Sequence, residues 1–237
     1  MIDIHCHILP QFDDGARNLD ESLEMAYLAH KSKINTIVAT PHCNVPGEEN
    51  NYYDDNYKKT FCKLSEALAE NSIPVRLIPG MEVFVTFDLP NLIKDGKVIT
   101  INNSRYILCE FGFSEEPEFI ELMIKRIKEL GLVPIIAHPE RYDIVKYDID
   151  FARAMIDDGA LLQVNKSSFK QAFGRTAQKC AYELIRENLV SVIASDAHYS
   201  TFRTPYMLDL AKELESLCNT NTVFTDNPFK ICSDIII

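Results

Sequence analysis

The chain has 237 residues, 46% hydrophobic and 25% charged, a composition typical of globular proteins and long enough to bury a core without disulfide staples. Its formal charge of −11 argues against general affinity for nucleic acid or anionic membrane, so neither nucleic acid nor stable membrane insertion is expected. An anionic substrate stays open, because bound cations can reverse the field locally.

Taken in chain order, the first element is a strand at 2–5, within Met1-Ile2-Asp3-Ile4-His5. No charged-then-apolar leader precedes it and no apolar run is of membrane-spanning length, so a cytoplasmic protein is expected. Asn18 can cap a helix, with Glu21 at the capping-box position and Leu23, Met25, Ala26, Leu28 and Ala29 as its apolar series. Further strands are expected at 36–41, 75–83, 105–111, 133–137, 160–165 and 190–195. Most are continuous in Val, Ile and Leu, as in a parallel sheet covered on both faces. Helices are expected at 55–71, 117–130, 149–158, 176–188 and 205–217. In 117–130, Phe119, Ile120, Met123, Ile124, Ile127 and Leu130 share one face, and Gly131 ends the helix. After 75–83 the pattern is interrupted: Asp95-Gly96 makes a turn before alternating Val98, Ile99 and Ile101, a short excursion packed on the main body. Seven strands alternating with helices specify an α/β fold, a (β/α) barrel one unit short of eight, in a single domain spanning 1–237.

Five of the six histidines fall at or just past an expected strand end: His5 and His7 in IDIHCH, His42 in ATPH, His138 in IIAHPE and His198 in IASDAH. His30 alone sits within a helix, and Asp14, Glu82, Glu110 and Asp196 share the strand-end positions. The carboxyl ends of parallel strands are where α/β folds build their sites. Alternation places His5 and His7 on one side of the first strand and Cys6 on the other. Asp196 and His198 repeat that spacing on the last strand, which a barrel brings beside the first. A lone strand-end histidine is more often a hydrogen-bonded structural residue, and HxH or DxH by itself is weak. Nine such donors on the same ends of six elements point instead to a metal site, since four crowded carboxylates without cations would repel. Nitrogen and carboxylate oxygen donors without thiolate suit Mn²⁺, Fe²⁺ or Zn²⁺ rather than a structural zinc knuckle. Three such ions against four carboxylates would leave about +2, attracting a phosphate of about −1.5 to −2.

The seven cysteines (Cys6, Cys43, Cys62, Cys109, Cys180, Cys218 and Cys232) are scattered and form no CxxC pair, which suits reduced thiols. Cys180 and Arg186, in CAYELIR, have the Cys-x5-Arg spacing of thiol-dependent tyrosine phosphatases. No Gly lies between them to let backbone amides approach a phosphate, so the segment reads as helix interior and a coincidence. Tyr52, Tyr53 and Tyr57, just after His42, fit equally the lining of an aromatic entrance and the flank of a surface helix.

The segments IDIHCHILPQFDDGARN, TPHCN, GMEV, SRYILCEF, AHPERY, Phe173-Gly174 and IASDAHY together resemble the polymerase-and-histidinol-phosphatase (PHP) family of phosphoesterases. Within it they resemble most closely the bacterial CpsB/CapC-type tyrosine-protein phosphatases, in order from Met1 to about Asn227. The resemblance implies a distorted seven-stranded barrel with three metal ions, usually manganese. By motif, His5, His7, Glu82 and Asp196 would hold the first ion; Glu82 would bridge to a second with Glu110 and His138; Asp14, His42 and His198 would hold the third. Arg141 and Arg203 would grip phosphate oxygens with their forked donors, and with His42 and His198 they are the catalytic candidates. Two departures, Gln11 where relatives commonly have Gly and an unusually polar LLQVNKSS, leave the shape of the substrate mouth open.

The expected function is hydrolysis of phosphotyrosine by a water or hydroxide shared between metals, in line with phosphorus. A tyrosine leaving group, with solution pKa near ~10, asks little of a general acid. The implied partner is the autophosphorylated tail of a bacterial tyrosine kinase controlling capsule or exopolysaccharide assembly. The alternatives are a small-molecule phosphatase of the same fold, such as one acting on histidinol phosphate, and a non-catalytic metal-stabilised binding module.

Overall fold

The computed structural model describes residues 1–47 and 51–237. Among these residues there are nine strands: β1 (Ile2–Cys6), β2 (Thr36–Ala39), β3 (His42–Cys43), β4 (Arg76–Pro79), β5 (Glu82–Phe84), β6 (Tyr106–Glu110), β7 (Val133–Ala137), β8 (Leu161–Asn165) and β9 (Val192–Ala194). The α-helices are α1 (Leu19–Lys31), α2 (Asp55–Glu70), α3 (Leu89–Lys94), α4 (Pro117–Glu129), α5 (Asp143–Tyr147), α6 (Ile149–Asp157), α7 (Gly174–Arg186), α8 (Leu208–Leu214) and α9 (Asn227–Cys232). None is long and apolar enough to cross a membrane.

All strand pairings are parallel, in two sheets of order β1-β2-β4 and β3-β5-β6-β7-β8-β9. The expected seven strands become nine because two of them break, at the same level. Ala39 and Pro79 are the last paired residues of β2 and β4, and His42 and Glu82 the first of β3 and β5. Pro41, with no N–H to give, lies in one break. Gly80 lies in the other, where a Cβ would come within 2.7 Å of the Val38 side chain. The buried Tyr57 hydroxyl pins both: it lies 3.3 and 2.8 Å from the Ala39 and Gly80 carbonyls and accepts from the Gly80 N–H. Beyond the breaks the chain passes from the smaller sheet to the larger. On the other side, the His7 N–H donates to the Ala197 carbonyl and the Asp196 N–H to the His5 carbonyl. The two sheets therefore meet at strand breaks and short bridges, in place of an unbroken seven-stranded ring.

Helix ends follow local chemistry. Asn18 caps α1 by accepting from the Glu21 N–H, and Glu21 reaches back to the Arg17 N–H. In α4, Pro117 begins the helix, Ile120, Met123, Ile124 and Ile127 are its buried stripe, and Gly131 follows its end at φ +77°. The excursion after β5 contains α3 and a single 3₁₀ turn; Val98, Ile99 and Ile101 are buried there but join no strand.

Two apolar clusters result. The larger fills the space between sheets and helices. The smaller gathers Ile2, Ile4, Val38, Ile78, Leu108, Ile135, Val192 and Ala194 from strands of both sheets, and it forms the floor of the site.

Candidate metal centre

Each strand carries its inner face upward from that floor. Period-two alternation takes Val38 to His42, Ile78 to Glu82, Leu108 to Glu110 and Ala194 to Asp196 on the same side. β1 needs a correction of phase, since Ile2 and Ile4 lie in the floor while Cys6 lies in the outer core. A register shift between Asp3 and Cys6 supplies it and turns His5 and His7 inward together. At the end of β7, His138 takes a left-handed φ of +37°, which re-aims its ring from the outer to the inner side.

Three imidazoles converge on one carboxylate oxygen. Glu82 Oε2 lies 3.2 Å from His5 Nε2, 3.3 Å from His7 Nε2 and 3.1 Å from His42 Nδ1. The other oxygen, Oε1, is 2.9 Å from His138 Nε2, which is itself 3.5 Å from Glu110 Oε1. Asp196 Oδ1 approaches His5 Nε2 and His7 Nε2 at 3.5 and 3.4 Å. Asp14 Oδ1 lies 3.3 Å from His198 Nε2 and 3.7 Å from His42 Nε2 at the open side. Thus all nine expected donors come together, and His30 stays on a surface helix. The donor atoms fall into three overlapping groups: His5, His7 and Asp196; His42, Glu82 and Glu110; and Asp14, His42 and His198 together with His7.

The donor set fits cations. Glu82 Oε2 and His42 Nδ1 are buried without a hydrogen bond although they are 3.1 Å apart, the state of groups shaped for a ligand other than each other. Burial alone would hold His7 neutral, but Asp13, Asp196 and Glu82 around it raise its pKa well above the usual value. Burial likewise works against charge on Glu82, yet the imidazoles of His5, His42 and His138 hold it well below the usual carboxylate range. Glu110 goes the other way, pushed up to about 9 by burial and by the charge of Glu82. Burial depresses His138 to about 4. The imidazoles and carboxylates thus set one another's charge, and cations would satisfy the same groups directly.

Behind the donors stands a layer that the motifs did not single out. His7 Nδ1 meets Asp13 Oδ2 at 2.7 Å, and that oxygen also accepts from the His42 N–H. Gly15 follows because a Cβ there would lie 2.2 Å from the His7 carbonyl oxygen. His5 Nδ1 meets Gln163 Oε1 at 2.8 Å; Gln163 donates to Asn165, and Asn165 donates to Asp196 Oδ2. Glu140 accepts from the Asn165 N–H and the Ser168 hydroxyl, and burial pushes its carboxyl up to about 7. The polar LLQVNKSS segment is therefore buried support for the donors rather than a wall of the mouth. Its alternation, Gln163 and Asn165 on the face of a buried strand, was the available signal. Gln11 is exposed at φ +56°, a conformation in which Gly would be at ease.

The cleft above the donors, about 280 Å³, is lined by Asp14, His42, Glu82, Glu110, His138, Asp196 and His198 and also by Arg141, Arg203, Val45, Phe84 and Phe113. The Arg141 guanidinium is sandwiched between the Phe113 and Phe173 rings at 4.2 Å from each centroid. Arg203 Nη2 is 2.6 Å from Asp196 Oδ2, and its Nε is buried without a partner. Among the described residues that line the cleft, Tyr52, Tyr53 and Tyr57 are not found: Tyr57 is core, and the other two are partly buried against it. Cys180 lies inside α7 with its thiol against the Val145 carbonyl, and burial pushes its pKa up to about 12. It has neither the access nor the acidity of a nucleophile.

A sequence model of the family described as "Capsular polysaccharide synthesis, CpsB/CapC" matches residues 1–233. The chain is 31% identical to tyrosine-protein phosphatase YwqE of Bacillus subtilis (strain 168), across 96% of this chain and 95% of that protein. It is 32% identical to tyrosine-protein phosphatase CpsB of Streptococcus pneumoniae, across 100% of each. A solved structure from work on YwqE and CpsB, described there as unique metal-dependent tyrosine phosphatases, superposes with a TM-score of 0.92. The identity is 30%, with 100% of this chain and 96% of that one covered.

Proposed function

The chain belongs to the CpsB/CapC capsular polysaccharide synthesis family, and from that premise we propose that it is a metal-dependent protein-tyrosine phosphatase. The whole chain, 1–237, serves as one PHP-type metallophosphoesterase domain. The observation that carries the reading is the gathering of five imidazoles and four carboxylates around Glu82, whose Oε2 lies within 3.3 Å of His5, His7 and His42, at the bottom of a cleft walled by two arginines.

His5, His7, Glu82 and Asp196 would hold one ion; Glu82, Glu110 and His138 would hold a second; Asp14, His42 and His198 would hold a third, and His7 belongs to the donor groups of both the first and the last. Manganese is the favoured ion, with iron(II) or zinc as alternatives, because the donors are nitrogen and oxygen only. Ions bound there would supply Lewis-acid charge and a water activated for attack on phosphorus. Arg141 and Arg203 bind the phosphoryl oxygens and stabilise the charge they gain, while Phe113 and Phe173 hold Arg141 flat. Asp13 and Gln163 fix the ring orientation of His7 and His5.

The substrate is phosphotyrosine on a protein. The family's capsule context and the names of the similar proteins support a bacterial tyrosine kinase tail as its source. Seven free cysteines support a cytoplasmic setting. The test is hydrolysis of a phosphotyrosine peptide by metal-stripped protein with Mn²⁺, Fe²⁺ or Zn²⁺ added back. Turnover is expected to return with metal and to be absent in His138→Ala. Selective turnover of histidinol phosphate over the peptide would move the same chemistry to a small molecule, and no metal-stimulated turnover of any phosphomonoester would leave a binding module.

A further inference from the structure

Arg203 sits in an improbable place. It adopts a left-handed φ of +48°, its Nε is buried without a partner, and its Nη2 is held 2.6 Å from Asp196. A non-glycine residue keeps such a backbone only where its surroundings over-determine it. On one side the His198 N–H donates to the Arg203 carbonyl at 3.0 Å. The loop's exit is fixed by the Ser32 hydroxyl, which accepts from the Met207 and Leu208 N–H groups. The stretch between, Thr204 to Tyr206, is bonded to a lysine. Lys166 Nζ donates to the Thr204 carbonyl, to the Thr204 hydroxyl at 3.3 Å and to the Tyr206 carbonyl at 2.9 Å.

We propose that Lys166 is a positioning residue for the phosphate site, clamping the 204–206 backbone so that Arg203 stays against Asp196 and faces the cleft. The inference rests on the phosphate role assigned to Arg203 above. The placement of Lys166 argues for it. It follows Asn165 directly at the end of β8, and Asn165 donates to the same Asp196 Oδ2 that Arg203 engages. Two consecutive residues thus hold both halves of one pair, the carboxylate through Asn165 and the arginine's loop through Lys166. The lysine's partners are carbonyl and hydroxyl oxygens rather than a carboxylate, and burial lowers its pKa to about 8. An ammonium withdrawn from water is costly unless each N–H finds an acceptor, and an apolar side chain would fill the space without that cost. What the ammonium adds is direction: three donors aimed at one turn.

The experiment is a double-mutant cycle on the full-length, manganese-loaded protein. Lys166→Met is expected to lower kcat/KM on a phosphotyrosine peptide about tenfold and to weaken inhibition by inorganic phosphate by about the same factor. Amide hydrogen exchange across 199–207 should quicken, with bound manganese unchanged. In an Arg203→Ala background the same substitution should cost less than about twofold, because the group it positions is gone. If Lys166→Met does not fold, Lys166→Gln, too short for all three bonds, runs the same cycle. Unaltered phosphate inhibition, or an undiminished loss in the Arg203→Ala background, would overturn the proposal and leave the reading of Arg203 intact. Wild-type turnover and phosphate inhibition by Arg203→Ala alone would instead remove that reading, and this inference with it.

Discussion

The inner faces of the strands carry two materials, one above the other. Below are Ile4, Val38, Ile78, Leu108, Ile135 and Ala194, all buried and packed on one another. Two to four residues further along the same chain segments come the buried Glu82, Glu110 and Asp196 and the partly exposed His42, chemically opposite to the floor. The floor gains stability from burial. The upper layer sacrifices stability, since it keeps Glu82 Oε2 and His42 Nδ1 out of water without a hydrogen bond. The difference teaches that the same chain segments build both layers, with strand breaks, the β1 register shift and the left-handed backbone of His138 turning the donors inward above the apolar floor.

The largest effect should come from the upper layer. Glu82→Gln should reduce phosphotyrosine-peptide turnover by about 1,000-fold or more, because Glu82 touches four of the five donor imidazoles. The melting temperature of the metal-free variant should stay level or rise. The floor should behave the opposite way. Leu108→Ala should cost about 3 kcal/mol, a fall of roughly 6–12 °C in Tm, with turnover per folded molecule nearly intact. A Leu108→Ala protein that kept its Tm and lost turnover would erase the division.

Support residues should fall between the two. Gln163→Leu frees the His5 ring, so manganese affinity measured by titration should fall by about 10–100-fold while Tm changes little. The upper layer should also respond to pH. Folding raises the Glu110 carboxyl from its ordinary value of 4.5 to about 9. Its contribution to the stability of the metal-free protein is therefore full below the lower value and fades as pH rises through the higher. Loading an ion must expel that proton, and the raised pKa of His7 adds to the demand, so manganese affinity should rise at least about tenfold per pH unit between pH 6.5 and 8.5. A pH-independent dissociation constant would contradict the assignment. The smallest effect belongs to the outer core: Cys180→Ser should leave turnover within about twofold, its thiol being packed inside α7 against the Val145 carbonyl.

Much of this division can be read in the sequence, because it is local. Apolar runs ending in His, Glu or Asp announce a strand and its functional tip, and the motifs name Arg141 and Arg203. The breaks at 40–41 and 80–81 leave their mark as Pro41 and Gly80, but their shared level depends on Tyr57, whose hydroxyl reaches both strands from α2. The roles of Asp13, Gln163 and Asn165 were not legible, because each is defined by a partner on another segment: Asp13 by His42, Gln163 by His5 and Asn165 by Asp196. A polar residue in a buried strand signals that it has a partner and leaves the partner unnamed. The β1 register shift, which turns the His5 and His7 rings together, is likewise set by pairing rather than by composition.

Anomalous diffraction from crystals grown with manganese tests the account at its centre. Peaks are expected at three groups of donors: His5, His7, Glu82 and Asp196; Glu82, Glu110 and His138; and Asp14, His42 and His198. A manganese-saturated crystal of active protein with no anomalous density in the cleft would contradict it.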